Sequence, residues 1–596
     1  MALTGRDILR LFVEEDKEAT FKYNQLCGLL ISFDQWSEKS KLEFLTQFQD
    51  AYRDAGSECS RFVECLCTIQ WKHWLIPKQR EDFVLFLARI AISEVFHLRI
   101  IFETMFDHLR PDLSLSPLPN ALVESEVPEE LRQQNLQTQA HIYELAISGI
   151  SSVLCSNPTC QHVLLRAAEF KFPHVKAPAH QFLTYLRNMV ILADKCPSIA
   201  QEIWILIINR MLQIDAIISR STKEAKGEFS VNESSIFAME EDDMKDDAPT
   251  RQMEIELTEK LDKAMMIVLA RISKGKKDIS NGCNAEETKW VENLELNSTD
   301  ILFEHLWPAF CESALAAHDV QSVPFIWFYL CSFEEKYTNY LLKFLWNTVT
   351  LPSFVPNSWK KSQNAANFLG AFIARANYIK FDKAFSWMKK MAHWCNEYIN
   401  AAGLRKNVEG CLQHGAFYAV VQALLFTFSF RYKEFVEYNC VKEVHSWGLA
   451  RIIHSQFQPL RFISRIISLG FATISRQLQI VYCVHIMDEN GPTKTPIEHY
   501  LPFSILQLPV SSSIVIPFIR KFQPAEEDMD HISIDFNEDS RKRYNSSGDN
   551  DFDFMEDDED VPQMNENQSS FAAVLSTSPY SAFASTMTKA KYITNH

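Results

Sequence analysis

The sequence predicts an all-α protein, a HEAT- or armadillo-like helical-repeat solenoid with an acidic internal loop and a disordered acidic C-terminal tail. Three observations carry that expectation. Glycine is scarce, with 15 in 596 residues, where an ordinary protein has roughly 7 %. Doubly wound, barrel and sandwich folds need glycine at phosphate loops, bulges and tight turns, and so are excluded. Apolar residues recur in steps of three and four along runs punctuated by proline, as one buried helix face requires. Successive runs pair off at roughly 40 residues a pair, the length of a HEAT or armadillo unit. Stacking such units lets a chain of 596 residues grow without a single oversized core.

In chain order, helical repeats are expected over 1–219. Pro77 opens a run from Phe83 to Leu109 free of Gly and Pro, and Pro111 closes it. Phe182, Leu186, Met189 and Ala193 form one stripe; Ala200, Ile203, Ile207, Met211, Ile214 and Ile218 form a second. Cys196-Pro197 between them makes a helical hairpin. An acidic loop follows over 220–250, then a second set of repeats over 251–523 with a short polar break at Ser273–Glu287. Its pairs are Phe303–Ala317 with Pro324–Val349, Asn364–Ala376 with Lys383–Ala402, and Phe417–Phe430 with Phe457–Ile474. Gln479–Ile486 is rich in β-branched and aromatic residues and reads as a strand. Residues 524–596 form the tail.

The charge is localised. Glu526–Asp560 holds fifteen acids against Arg541, Lys542 and Arg543, a net of −12. Glu240–Asp247 holds six acids against Lys245, a net of −5, and the two together equal the whole formal charge of −17. The repeats are therefore neutral, and like-charge blocks repel themselves out of a packed core. Asp549–Asp560 interleaves acids with Phe552, Phe554 and Met555, a composition suited to docking on a basic, partly apolar partner.

The opening residues meet Glu14, Glu15 and Asp16 without the apolar centre of a signal peptide. The 14 cysteines fall mostly inside apolar runs, which predicts reduced, buried thiols. Gly410–Phe430 carries no formal charge, but Gln413, His414 and Gln422 interrupt it and leave a dense part, Phe417–Phe430, too short to span a bilayer. It reads as a buried central helix.

Candidate chemistry is thin. Gly410-Cys-Leu-Gln-His-Gly415 has the outer spacing of a phosphate loop, but Ala416-Phe417 stands where Lys-Ser/Thr must follow. Cys65-Leu-Cys67 and Cys155…Cys160-Gln-His162 lack the paired spacing of a closed zinc site. No catalytic, metal or cofactor-binding residue is expected. The most basic stretch, Lys360–Lys390, sets seven cations against Asp382, a net of +6. Within it Arg375, Lys380, Lys383, Trp387 and Lys390 are the candidate nucleic-acid or partner contacts; Lys383, Trp387 and Lys390 share one helix face. A basic, aromatic stripe suits phosphate-backbone contact, and it equally suits a solvated solenoid face.

Several ordered stretches carry a family likeness. Phe325-Ile-Trp-Phe-Tyr-Leu-Cys-Ser-Phe333, Ala365-Ala-Asn-Phe-Leu-Gly-Ala-Phe-Ile-Ala-Arg-Ala376, His414-Gly-Ala-Phe-Tyr-Ala-Val-Val-Gln-Ala423 and Phe428-Ser-Phe-Arg-Tyr-Lys-Glu434 occur in that order. With Lys171-Phe-Pro-His-Val-Lys176 and Ser455-Gln-Phe-Gln-Pro-Leu460, they resemble the RNA polymerase I-specific transcription initiation factor family over about residues 140–525. The resemblance implies a helical-repeat protein without enzyme activity, nuclear and nucleolar. It implies partners too: RNA polymerase I near its stalk, and the promoter-bound core or selectivity factor on ribosomal DNA. Phosphorylation would control the polymerase contact. Where the family carries a basic run after Leu501-Pro-Phe503, this chain has the uncharged Ser504–Ser513. Ser116 and Ser578, each before proline, and Ser546, three residues before Asp549, are the candidate phosphorylation sites. The fold alone also suits a helical-repeat transport receptor or scaffold adaptor unrelated to transcription. Direct DNA contact and a homodimer of the free protein are left open.

Overall fold

The computed structural model describes residues 4–115, 129–225, 248–274, 290–292, 298–317, 320–350, 358–402, 411–483 and 508–521, with 294, 486 and 503. All lie in one compact unit, Met1–Ser540. The acidic blocks, Ser116, Ser546 and Ser578 lie outside the described residues.

The helices of the first half are α1 (Gly5–Val13), α2 (Lys17–Leu30), α3 (Glu38–Phe48), α4 (Ser60–Thr68), α5 (Pro77–Ser93), α6 (Leu98–Asp107), α7 (Glu129–Ser156), α8 (Gln161–Lys171), α9 (Ala179–Lys195) and α10 (Ala200–Ala225). The second half holds α11 (Ala248–Ser273), α12 (Thr299–Ala309), α13 (Phe325–Cys331), α14 (Glu335–Thr350), α15 (Ser358–Arg375), α16 (Phe381–Ala402) and α17 (Cys411–Glu437). Four short helices follow, α18 (Val441–His445), α19 (Leu449–Ile453), α20 (Pro459–Phe462) and α22 (Ser512–Val515), with the longer α21 (Arg465–Gln477) before the last. The all-α class holds: among the described residues no strand occurs, and one isolated bridge joins Ala376 to Ile519.

Local chemistry sets many boundaries. Thr4 caps α1 in a capping box with Asp7, whose carboxylate accepts from the Thr4 amide. Asp16 and Ser37 cap α2 and α3, and Pro77 sits in the first turn of α5. The α9–α10 hairpin forms as expected, with Pro197 opening a short 3₁₀ turn between the helices.

Three expected helices are broken. The Phe83–Leu109 run divides at Glu94, extended at φ −133° and ψ 110°, whose carboxylate accepts the Phe96 amide and starts a new turn. Pro324–Val349 divides at Ser332, where the hydroxyls of Ser332 and Thr338 take the carbonyls of Tyr329 and Cys331 that end α13. Phe457–Ile474 divides at Ile463, because the next amide, Ser464, donates to the Gln422 side chain at 2.9 Å. The expected strand at Gln479–Ile486 is absent from its described part. Gln479 has φ 53°, and the Ser475 hydroxyl closes a turn on both the amide and the carbonyl of Val481.

One continuous core runs from Leu9 to Val515. The apolar residues of Phe417–Phe430 are buried at its centre, as expected, where α17 packs on α15, α16 and α21. No described helix is long and apolar enough to cross a membrane. The polar residues that interrupt the helix are used internally. Gln422 donates to Asn367 at 3.1 Å while accepting from Ser464, and His414, at a kink with φ −115°, meets the Tyr398 hydroxyl at 2.8 Å. Gly370 lets α15 touch α17: a Cβ there would stand 2.6 Å from the Ala423 Cβ.

Candidate interaction surface

The motifs behind the family likeness are mostly core. Every residue of Phe325–Cys331 is buried, and Phe503 inserts its ring among Phe325, Phe328, Phe368 and Phe372 at 5.0–6.0 Å. Arg431 is fully buried. Its guanidinium donates to the Ile373 and Ile379 carbonyls and holds the Glu434 carboxylate by two bonds of 2.9 Å. Glu434 in turn pairs with Arg520, whose backbone amide donates to the Arg375 carbonyl at 2.6 Å. A C-terminal strap, 508–521, is thereby pinned to the turn between α15 and α16, and Asn377 adds bonds to the Phe518 and Pro517 carbonyls.

The uncharged departure from the family pattern starts this strap. Val510 and Ser511 each donate a backbone amide to the Asp262 carboxylate at 2.8 Å. Asp215 does the same elsewhere: one oxygen accepts the amides of Gln321, Ser322 and Val323 at 3.1, 2.8 and 2.9 Å. Burial outweighs those bonds and pushes its carboxyl up to about 6. Asp194 and Arg271 form a buried pair at 2.6 Å joining α9 to α11, and the Lys260 ammonium donates to the Val175 and Ala177 carbonyls. Sequence reading missed all of these, because each partner lies dozens of residues away.

The candidate stripe divides. Lys380, Lys383 and Trp387 do come together, lining a cleft of about 620 Å³ with Phe333, Glu334, Glu335 and Asp382. Arg375 does not join them. It is 2 % exposed, its guanidinium 4.8 Å above the Phe430 ring, and so cannot reach a partner from the surface. Lys383 donates to Glu335 and to Asn339. That ammonium, with Lys380 adding its field, holds the Glu335 carboxyl below the usual carboxylate range. Lys390 lies outside the cleft, over the Trp387 and Trp346 rings at 4.6 and 5.1 Å. Neighbouring Lys389 pairs with Glu443 at 2.7 Å. Paired to carboxylates and stacked on indoles, the stripe presents a mixed-charge, aromatic-edged cleft. Such a surface suits a protein partner better than a phosphate backbone.

The described cysteines are free thiols. Burial pushes Cys67 up to about 12. Cys155 departs from the expected burial by being exposed, and His162 turns to the Thr159 carbonyl. Among the described residues no three His, Cys, Asp or Glu side chains are placed to hold a metal. The phosphate-loop lookalike lies partly outside the described residues, and its Gly415 packs on Gln363.

Comparison with known proteins gives this architecture its kin. The chain is 30 % identical over 564 residues to the RNA polymerase I-specific transcription initiation factor tif-1A of Caenorhabditis elegans, covering 89 % of this chain and 84 % of that protein. It is 24 % identical over 476 residues to the RNA polymerase I-specific transcription initiation factor RRN3 of Mus musculus, covering 76 % and 69 %. The fold is shared with a crystal structure of RNA polymerase I transcription initiation factor Rrn3, at TM-score 0.59 and 16 % identity over 86 % of this chain and 96 % of that one. The family described as RNA polymerase I specific transcription initiation factor RRN3 matches residues 6–527, a span from the first helix to just beyond the strap, and the chain belongs to that family.

Proposed function

We propose that this protein makes RNA polymerase I competent to initiate on ribosomal DNA promoters, by binding the polymerase near its stalk and bridging it to the promoter-bound core or selectivity factor. Membership of the family across 6–527 carries the reading. A continuous core supports it, since a helical array held by one core presents fixed faces to two large partners at once. The mechanism is surface complementarity in the nucleolus and needs no bond chemistry and no cofactor. Phosphorylation regulates the polymerase contact, with Ser116, Ser546 and Ser578 as the candidate switches; domains follow the sequence division into repeats at 1–219 and 251–523, the 220–250 loop and the 524–596 tail.

Affinity purification of the tagged full chain from nuclear extract tests this. RNA polymerase I subunits should dominate. Transport cargo or coat components in their place would favour the scaffold or transport reading and defeat ours. Alanine and glutamate versions of the three serines should differ in polymerase capture; equal capture by all removes them as switches.

A further inference from the structure

The groove between α7 and α9 gathers hydrogen-bond donors without an acid to meet them. On α7, Leu136, Gln139 and Tyr143 lie one helical turn apart along one face; on α9, His180, Thr184 and Arg187 do the same. The two helices pack together. Tyr143 is 9 % exposed, and its hydroxyl makes no hydrogen bond among the described residues. The Nδ1 of His180 is buried without a partner. Arg187 is half-buried and makes neither ion pair nor hydrogen bond among the described residues.

The electrostatics agree with that geometry. Burial holds the Arg187 guanidinium below its usual range, with only the Tyr143 phenol offsetting it. Burial and Arg187 together keep His180 below the usual imidazole range, so the ring is neutral near pH 7. The acid next to the groove is Asp112, and it is already engaged by Lys72 at 2.7 Å and by the amide and hydroxyl of Ser114. An unpaired guanidinium out of water is costly, and a fold keeps one where an anion comes to meet it.

We propose that the α7–α9 groove is a recognition site for a phosphorylated side chain. The Arg187 fork takes two phosphate oxygens, and the Tyr143 hydroxyl takes the third. His180, in the tautomer protonated on Nδ1, supplies a neutral donor. The phosphate can come from a phosphoserine of this chain or of a partner protein. The proposal stands on the groove alone, so its failure would leave the polymerase reading intact.

The test is calorimetric titration of the full chain with a short phosphoserine peptide, at constant ionic strength. The unphosphorylated peptide and inorganic phosphate serve as controls. The wild type should bind the phosphopeptide saturably, Arg187→Met should weaken it about 10- to 100-fold, and Tyr143→Phe several-fold. Arg187→Lys should recover only part of the affinity, because it keeps the charge and loses the fork. Arg187→Met should melt no lower than the wild type, since it removes an unpaired charge; a structural arginine would give the opposite. No saturable binding by the wild type, or equal binding by wild type and Arg187→Met, overturns the proposal. Prior treatment of the full chain with a proline-directed kinase separates the sources: lost peptide binding assigns an internal phosphoserine, and unchanged binding assigns a partner's. Both results support the site.

Discussion

Replacing Asp215 by asparagine should make the protein relatively more stable as the pH rises. One carboxylate oxygen of Asp215 accepts three backbone amides, and an amide oxygen can accept the same three. The difference lies in ionisation. Burial raises this carboxyl from 3.8 to about 6, so the unfolded chain ionises before the folded one and stability falls as the pH climbs through that window. The full effect is about 3 kcal/mol at ~1.36 kcal/mol per pKa unit, of which about 1.4 kcal/mol falls between pH 5 and 7.5. Asparagine does not titrate. The stability of Asp215→Asn relative to wild type should therefore improve by about 1.4 kcal/mol across that range. Asp215→Ala, which leaves three amides without an acceptor, should lose about 3 kcal/mol or more at either pH. Urea unfolding at pH 5 and 7.5, with hydrogen exchange of the Gln321–Val323 amides, reads both. A gap between wild type and Asp215→Asn that is constant or widens with pH would refute the reasoning, as would full exchange protection in Asp215→Ala.

Other outcomes follow from the packing and pairing. Gly370→Ala drives a methyl to within 2.6 Å of the Ala423 Cβ and should cost about 1–3 kcal/mol, seen as a lower melting temperature. Glu434→Gln leaves the buried Arg431 charge without its partner and should cost about 3–5 kcal/mol, with faster hydrogen exchange over 508–521 as the local signature. Lys383→Glu combined with Lys390→Glu should leave retention on DNA at low salt unchanged, since the first lysine already faces Glu335 and the second covers two indoles; a salt-dependent loss would restore the phosphate-contact reading. Among the described cysteines Cys155 is the exposed one and should be alkylated first by a maleimide, with Cys331 and Cys395 last.

How much of this was legible in the sequence depends on how local its cause is. The α9–α10 hairpin and the buried Phe417–Phe430 helix were readable, because apolar spacing and Cys196-Pro197 are properties of neighbouring residues. The break at Ile463 was not, because it answers to Gln422, far away in the chain. The cleft was half legible. Helical spacing puts Lys383 and Trp387 on one face, but charge counting along the chain cannot see Glu335 reaching across from α14, or Arg375 turning inward to Phe430. The uncharged Ser504–Ser513 looked like a lost contact, whereas its later residues deliver two amides to Asp262 and anchor the strap. Family likeness survived all of this because its motifs lie in the packed interior, where they specify the fold and leave the docking faces unread.

The central claim meets its most direct test in a reconstituted initiation assay. Purified RNA polymerase I, promoter-binding factors and a ribosomal DNA template should yield specific transcripts only when this protein is added, and an RNA polymerase II template should be indifferent to it. Specific ribosomal initiation at the same level without the protein would contradict the account.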